Sequence, residues 1–200
     1  MCVERAQLLN QLGRYEEAKQ MIAARKFHPW EGGEGKVTGQ YTLCRRELAK
    51  QAIKASEWEQ AWALLAETDA YPHNLGEGKL STLEENDLCY YKGLVLKAMG
   101  KQAEAEAMFV KATAGDSEPH QAFYYNDSQP DKIFYQALAW KELGDEKKAE
   151  ALFCRLIEHG DEHMADQCKI DYFAVSLPEL AIWDDDLNVR NRIHSHFVKA

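Results

Sequence analysis

Small and large apolar residues recur along the chain at a nearly constant interval. Alanines stand 43 or 44 residues apart, and a large apolar residue follows each of them by four positions. A small residue stands twelve positions before each alanine. The alanines are Ala18, Ala61, Ala105 and Ala149, the large residues are Ile22, Leu65, Phe109 and Phe153, and the small residues are Ala6, Ala49, Gly93 and Ala137. Four residues is one helical turn, so each copy predicts two antiparallel helices in close contact.

A turn signal separates the two predicted helices of each copy. Three copies have a glycine five residues before the alanine, at Gly13, Gly100 and Gly144. Glycine at this position can adopt the left-handed conformation that ends a helix. Ser56 and Asp145 are predicted to cap the helices that follow. Ser56 with Glu59, and Ser81 with Glu84, also have the spacing of a capping box.

This arrangement resembles the tetratricopeptide repeat, in which a small residue of one helix faces an alanine of the next. Gly13 and Tyr15 match the glycine and the aromatic residue of that family's turn. The usual repeat has about 34 residues, so each copy here carries an insertion of roughly ten. The tryptophan and the closing proline of the family pattern are mostly absent. The resemblance implies an all-α fold, an α-solenoid of about four antiparallel hairpins with long inter-repeat loops.

We therefore expect one helical-repeat domain over residues 1–200, with hairpins at roughly 1–27, 40–69, 82–114 and 130–159. The repeats are predicted at about 1–39, 40–81, 82–129 and 130–160, followed by an irregular segment at 161–185 and a partial next repeat at 186–200. The last predicted helix has an apolar stripe of Val189, Ile193 and Phe197 and no hairpin partner in this sequence. This favours a fragment of a longer protein and predicts weak self-association through that helix.

The first two inserted loops repeat each other with a shift of 43 residues. They are residues 29–36 and 72–79, and each ends in Gly-Glu-Gly-Lys. A glycine-permitted turn that redirects the chain is the favoured interpretation. The alternative is a phosphate cradle, but both loops lack the nucleotide-binding pattern, and Val37 and Leu80 follow where a hydroxyl residue is needed.

Insertions in repeat proteins emerge on one face, so we expect the loop aromatics along one edge. Aromatic rings among amides and carboxylates suit stacking on a sugar or a peptide. Alternatively, they cover the helices or dock on another domain of the parent protein. The candidate binding residues are Trp30, Glu34, Lys36, Tyr71, His73, Glu77, Lys79, Tyr124, Tyr125, Asn126 and Asp127.

Two stretches resemble the C-terminal helical-repeat part of certain large bacterial proteins. They are residues 27–36, with the sequence F-H-P-W-E-G-G-E-G-K, and residues 173–186, which begin F-A-V-S-L-P and end W-D-D-D. In those proteins the repeats follow a β-sandwich region of unknown function that is suggestive of carbohydrate-active enzymes. The resemblance implies a role within a bacterial multidomain protein and assigns no catalytic residue to this chain.

Composition narrows the range of partners. Lysine and arginine number 24 against 33 aspartates and glutamates, which gives a formal net charge of -9. This balance argues against nucleic acid and against an anionic membrane surface as partners. The five cysteines form no C-x-x-C pair, which is typical of free thiols in a reducing compartment. Without a signal peptide or a long apolar run, we expect a cytoplasmic location.

The histidines offer the one pattern with a catalytic precedent. Residues 159–163 spell H-x-x-E-H, the inverted zinc-protease pattern. Gly160 predicts a helix end inside the pattern, so His159 and His163 are not expected to share a metal ion. Residues 184–188 begin like a calcium loop but have Val189 where glycine is required, so Asp186 or a neighbouring residue is expected to cap the last helix. We therefore expect no metal, no cofactor and no catalytic residue.

The sequence as a whole favours a non-catalytic interaction scaffold. Such a scaffold docks on other domains of its own parent chain or binds a segment of another protein. Two alternatives stay open. One is a zinc-dependent hydrolase that uses the H-x-x-E-H at 159–163, and the other is a saccharide-binding module that uses the loop aromatics.

Overall fold

The computed structural model describes residues 2–120, 129–167 and 186–200. Within these ranges the chain is all-α and contains no strand, as the sequence predicted. The helices are α1 (Cys2–Gln11), α2 (Tyr15–Ala23), α3 (Lys36–Lys54), α4 (Trp58–Ala66), α5 (Asn86–Ala98), α6 (Gln102–Ala112), α7 (Asp131–Glu142), α8 (Glu146–His163) and α9 (Leu187–Lys199). None of these helices combines the length and the apolar character needed to cross a lipid bilayer. The chain divides into two compact units, Met1–Ala112 and Thr113–Ala200.

The first unit contains three helix hairpins, formed by α1 and α2, α3 and α4, and α5 and α6. Helix α3 packs against both α1 and α2, and helix α5 packs against both α3 and α4. Two short 3-10 helices, Glu67–Asp69 and His73–Leu75, lie in the connection between α4 and α5. The first helix of each later hairpin is thus covered by the hairpin before it.

The second unit contains the hairpin of α7 and α8, with α9 packed against α8. Helix α8 continues to His163, a few residues beyond the predicted end of the fourth hairpin at 159. Most of the predicted irregular segment, residues 168–185, lies outside the described residues. Asp186 caps α9 as predicted, because its side chain accepts from the backbone N–H groups of Asn188 and Val189. The apolar stripe of α9 is solvent-exposed, with Ile193 at 63% and Phe197 at 66%.

The residues that recur at the repeat interval form the interior of the hairpins. Ala6, Ala18, Ala49, Ala61, Ala105, Ala137 and Ala149 are all at most 2% exposed. Gly93 is equally closely packed, because a Cβ atom there would lie 2.5 Å from the ring of Phe109. Phe153 is only half-buried, and its ring lies 5.7 Å from that of Phe134. The predicted close helix contacts are confirmed at these positions.

Every hairpin turn is closed by the same backbone hydrogen bond, in which an N–H donates to the carbonyl five residues earlier. The bonds run from Arg14 to Leu9, from Glu57 to Ala52, from Lys101 to Leu96 and from Asp145 to Trp140. This is the long bond of a Schellman motif, which needs a left-handed residue just before the donor. Gly13, Gly100 and Gly144 supply it with φ of 72°, 76° and 85°, as predicted.

Ser56 supplies the left-handed residue of the second turn, with φ of 59°. The prediction that Ser56 caps α4 is therefore wrong, since the N-cap is Glu57 and no side chain caps that helix. The hydrogen-bonding pattern of the turn outweighs the cost of a left-handed L-residue, which is about 1–2 kcal/mol. The capping box at Ser81 is also wrong, because α5 begins only at Asn86. Asp145 does cap α8 by accepting from the N–H of Lys148, as predicted.

Candidate functional site

The first two inserted loops lie against each other in the first unit. The Nδ2 of Asn74 in the second loop donates to the carbonyls of Ile22 and Arg25, at 2.9 and 2.8 Å. The N–H of Gly35 in the first loop donates to the Oε2 of Glu77 at 2.8 Å. The second loop therefore holds the first loop in a defined position at the end of α2.

The second loop is itself anchored in the core of the first unit. Leu75 is 1% exposed and belongs to the same apolar cluster as Phe27. The N–H of Phe27 donates to the carbonyl of Asn74 at 2.7 Å. Gly76 follows with φ of 79°, and a Cβ atom there would lie 2.7 Å from the carbonyl oxygen of Phe27. This close approach of two backbones explains why glycine is required at position 76.

The first loop presents Trp30 on the surface, with 43% of the residue exposed. The ring lies directly on the backbone of Gly33, where any Cβ atom would overlap it. Gly32 and Gly35 on either side have φ of 75° and 74°. The glycines of this loop thus serve a turn that supports an exposed aromatic ring.

Trp30 lies between two clefts. The larger has a volume of about 650 Å³, and its lining includes Phe27, Trp30, Lys36 and the side of α1 that carries Glu4 and Gln7. The smaller has a volume of about 320 Å³ and is lined by Pro29, Trp30, Glu31, Gly33, Glu34 and Glu77. One aromatic ring therefore serves as a wall of both clefts. Trp30 and the other residues that line these two clefts are called the Trp30 edge below.

The two clefts differ in charge. The described residues that line the smaller cleft include three carboxylates, Glu31, Glu34 and Glu77, and neither lysine nor arginine. The larger cleft has one acidic residue, Glu4, and one basic residue, Lys36. A negative potential is therefore concentrated on the side of Trp30 that faces the smaller cleft.

Tyr71 and Lys79, both candidate binding residues, make contacts within the fold. The ring of Tyr71 meets that of Tyr41 edge-on with centroids 6.0 Å apart, and burial raises the pKa of Tyr71. The Nζ of Lys79 donates to the carbonyl of Thr68 at 2.7 Å and forms an ion pair with Glu85 at 2.7 Å. These contacts favour the structural interpretation of the second Gly-Glu-Gly-Lys over a phosphate cradle.

The other candidates divide into three groups. Glu34 and Lys36 are exposed beside Trp30, each in the lining of one cleft. His73 is exposed on the short helix His73–Leu75. Tyr124, Tyr125, Asn126 and Asp127 lie outside the described residues.

Sequence reasoning missed residues that belong to the Trp30 edge. Glu31 lines the smaller cleft, and Gly33 carries the tryptophan ring. Both residues could have been selected from the sequence, because they belong to the repeated loop. In the alignment of the two loops, Glu31 corresponds to Asn74 and Gly33 to Gly76. Gln7 was not predictable, since only the packing of α1 beside the first loop brings it to the larger cleft.

The predicted helix end at Gly160 is wrong. Helix α8 runs through this residue to His163, so His159 and His163 lie one turn apart on the same face. Their ring centroids are 4.5 Å apart. Glycine is suited to this position because α9 approaches closely, and a Cβ atom at residue 160 would lie 2.7 Å from the carbonyl oxygen of Ser195.

The histidine pair is not accompanied by a full set of metal ligands in the described ranges. Among residues 2–120, 129–167 and 186–200, no group of three or more histidine, cysteine, aspartate or glutamate side chains is placed to hold a metal ion. Glu162, the residue in the position of a catalytic base, forms an ion pair with Arg155 at 3.2 Å. The first two residues of the apparent calcium loop, Asp184 and Asp185, lie outside the described residues.

Among known proteins, no family model matches this chain and no solved structure matches it. The fold and the geometry of the Trp30 edge are therefore the basis on which a function can be proposed.

Proposed function

We propose that the chain is a non-catalytic interaction scaffold that binds a protein segment at the Trp30 edge. The segment belongs to another domain of the same parent chain or to a separate protein. The observation that carries this proposal is Trp30 itself, a large exposed ring supported on Gly33 between two clefts. Tryptophan is enriched among the residues that dominate the energy of protein interfaces. A ring already held in place also loses little conformational entropy when a partner binds.

The charges favour a segment that carries lysine or arginine. A cationic side chain over the tryptophan face gains about 0.5–1 kcal/mol at an exposed site and about 2 kcal/mol when desolvated. Glu31, Glu34 and Glu77 supply complementary negative charge on that side of the ring. The same carboxylates would repel an acidic segment, so the edge should discriminate by charge.

We infer further that the hairpins continue one another as a tetratricopeptide-like α-solenoid. Support comes from the first unit, where α3 packs on α1 and α2 and α5 packs on α3 and α4. The alanine interval extends this spacing to the fourth hairpin. A cytoplasmic site of action is supported by the free thiols of Cys44 and Cys89, whose pKa values are raised by burial.

The proposal is tested by titrating the full chain into fluorescein-labelled nine-residue peptides of graded net charge and measuring anisotropy. We expect the basic peptides to bind and the acidic ones not to bind. Trp30→Ala should weaken binding at least tenfold, which corresponds to the 1.4 kcal/mol or more expected of an interface anchor. Leu83→Ala is the matched control, because Leu83 is also 43% exposed but does not line either cleft.

Two results would contradict the proposal. One is equal binding by the chain and its Trp30→Ala variant, and the other is no charge preference among the peptides. Binding of a glycan array that is lost on Trp30→Ala, with no peptide binding, would support the saccharide alternative instead. The zinc-hydrolase alternative has less support, because Glu162 is paired with Arg155 and no third ligand is placed among the described residues.

A further inference from the structure

Helix α9 exposes its apolar side and buries its polar side. Val189, Ile193 and Phe197 recur at intervals of one helical turn and are 38%, 63% and 66% exposed. Asn191 and Ser195 each lie two positions after a member of this stripe, which is about 200° around a helix and therefore on the opposite face. A surface helix ordinarily does the reverse and turns its apolar residues towards the core. The exposed stripe of Val189, Ile193 and Phe197, called the α9 stripe below, has the character of a surface that a partner covers.

The polar side of α9 is already occupied by contacts with α8. The Nδ2 of Asn191 donates to the carbonyl of His163 at 2.6 Å. Ser195 is 3% exposed. The Nζ of Lys199 forms an ion pair with Asp161 at 2.5 Å. These contacts hold the helix on α8 with the α9 stripe facing away from it.

The charge of α9 differs from that of an otherwise acidic chain. Among the helices that the structure describes, only α9 contains neither aspartate nor glutamate. Arg190 and Arg192 are exposed, and each is three residues from a member of the α9 stripe and hence its neighbour on the helix surface. Symmetric pairing of α9 with α9 of a second copy would bring these like charges together, which is unfavourable. The surface that complements α9 combines apolar residues with carboxylates.

The Trp30 edge has this combination. Val3 and Phe27 line the larger cleft together with Trp30. The carboxylates of Glu31 and Glu34 line the smaller cleft on the other side of the ring. Apolar side chains and arginines are also neighbours on the outer face of α9. The two surfaces therefore match in apolar character and are opposite in charge.

We propose that α9 of one copy of this chain binds the Trp30 edge of a second copy. The inference rests on the proposed function and names the partner, because the basic segment is then part of another molecule of the same chain. The α9 stripe packs against the Trp30 ring at the larger cleft, and the arginines face Glu31 and Glu34. Each copy contributes a different surface, so the contact is heterologous and can extend from copy to copy.

The association should be weak and reversible. Helix α9 has 13 residues and is therefore about 20 Å long. One side of such a helix is smaller than the roughly 800 Å² that each partner buries in a stable complex. Added salt should weaken the contact further, because it screens the charges at a solvent-exposed surface.

The test is sedimentation velocity of the full chain at increasing concentration. We expect the unmodified chain to self-associate. The α9 variant, Ile193→Ala with Phe197→Ala, and the edge variant, Trp30→Ala, should each associate at least tenfold more weakly. Leu8→Ala with Leu12→Ala is the matched control, because these two residues are also four positions apart, are 58% and 69% exposed and do not line either cleft.

A mixing experiment separates loss of a contact surface from loss of structure. The α9 variant keeps an intact Trp30 edge, and the edge variant keeps an intact α9. Each variant alone should stay monomeric, whereas the two together should form a one-to-one dimer that grows no further. Variants that failed to fold would not complement each other in this way.

The proposal is overturned if the unmodified chain stays monomeric, if either variant associates as strongly as the unmodified chain, or if the mixture forms no dimer. Basic peptides that bind the Trp30 edge of a strictly monomeric chain would remove the self-association and leave the proposed function in place. Binding of a monomeric chain to vesicles that contain anionic lipid, if lost in the α9 variant, would assign the α9 stripe to a membrane surface instead.

Discussion

The two loops that end in Gly-Glu-Gly-Lys share five of their eight residues and have opposite roles. In residues 72–79, two side chains turn inward: Leu75 is buried, and the Nζ of Lys79 donates to the carbonyl of Thr68. In residues 29–36, the aligned positions turn outward, where Gly32 and Lys36 lie beside the exposed Trp30. Residues 72–79 hold the Trp30 edge in position, and residues 29–36 carry its exposed ring.

The difference shows what repetition preserves. Each copy has left-handed glycines at its turns, Gly32 and Gly35 in the first loop and Gly76 in the second, where other residues would be strained. The side chains at the other positions differ between the copies, and the residues around each loop determine whether its side chains are buried or exposed. The second loop follows α4 and reaches back to the end of α2 through Asn74, so it has a helix end to bond. The first loop is bonded to the second loop, because the N–H of Gly35 donates to the carboxylate of Glu77.

The largest expected effect follows from removing the anchor. Leu75→Ala leaves a cavity in the core cluster of the first unit and should cost about 2–5 kcal/mol in the free energy of unfolding. Leu80→Ala, a few residues further along, should cost within about 0.5 kcal/mol, because Leu80 is 54% exposed. Urea denaturation followed by circular dichroism measures both variants. Similar losses for the two would mean that the second loop is not anchored by its buried leucine.

A smaller effect is expected from the glycines. Gly32 and Gly76 have nearly equal φ, 75° and 79°, so alanine at either position incurs the left-handed cost of about 1–2 kcal/mol. Gly76→Ala should cost clearly more than Gly32→Ala, because only its Cβ would clash with the backbone oxygen of Phe27. The comparison is made from the urea midpoints of the two variants. If Gly32→Ala is the more damaging change, the assignment of the two roles is reversed.

The smallest expected effect is at the lysines. Lys79→Met removes the hydrogen bond to the buried Thr68 and the ion pair with Glu85, and should cost about 1–2 kcal/mol. Lys36→Met should change stability by less than about 0.5 kcal/mol, since Lys36 is exposed at the larger cleft. Thermal unfolding of the two variants at matched ionic strength distinguishes these outcomes. Equal costs would show that the lysines serve the two loops alike.

Much of the fold was predictable because its signals are local and are repeated. The alanine interval and the turn glycines predicted four hairpins, and each is found within a few residues of its expected bounds. Two of the errors concern residues whose conformation is set by a requirement that the residue type alone does not indicate. Ser56 adopts a left-handed conformation that its sequence neighbours do not indicate, because the hairpin turn requires it. Gly160 continues a helix because α9 packs on its bare backbone.

The candidate site was predictable only in part, for a related reason. Trp30, Glu34 and Lys36 could be singled out because they belong to a repeated motif in an inserted loop. The same reasoning selected Tyr71 and Lys79, which make contacts within the fold. A motif identifies side chains that could bind a ligand. It does not show whether those side chains already bond to other residues within the fold.

The sequence alone determined the helical class, the hairpins and the turns, because helical periodicity, small packing residues and left-handed glycines act over one or two turns of chain. Only the tertiary structure decided which copy of Gly-Glu-Gly-Lys became an anchor and which became a surface. That choice depends on the carbonyls at Ile22, Arg25 and Thr68. Two of these carbonyls lie some fifty residues from Asn74, and folding alone brings them together.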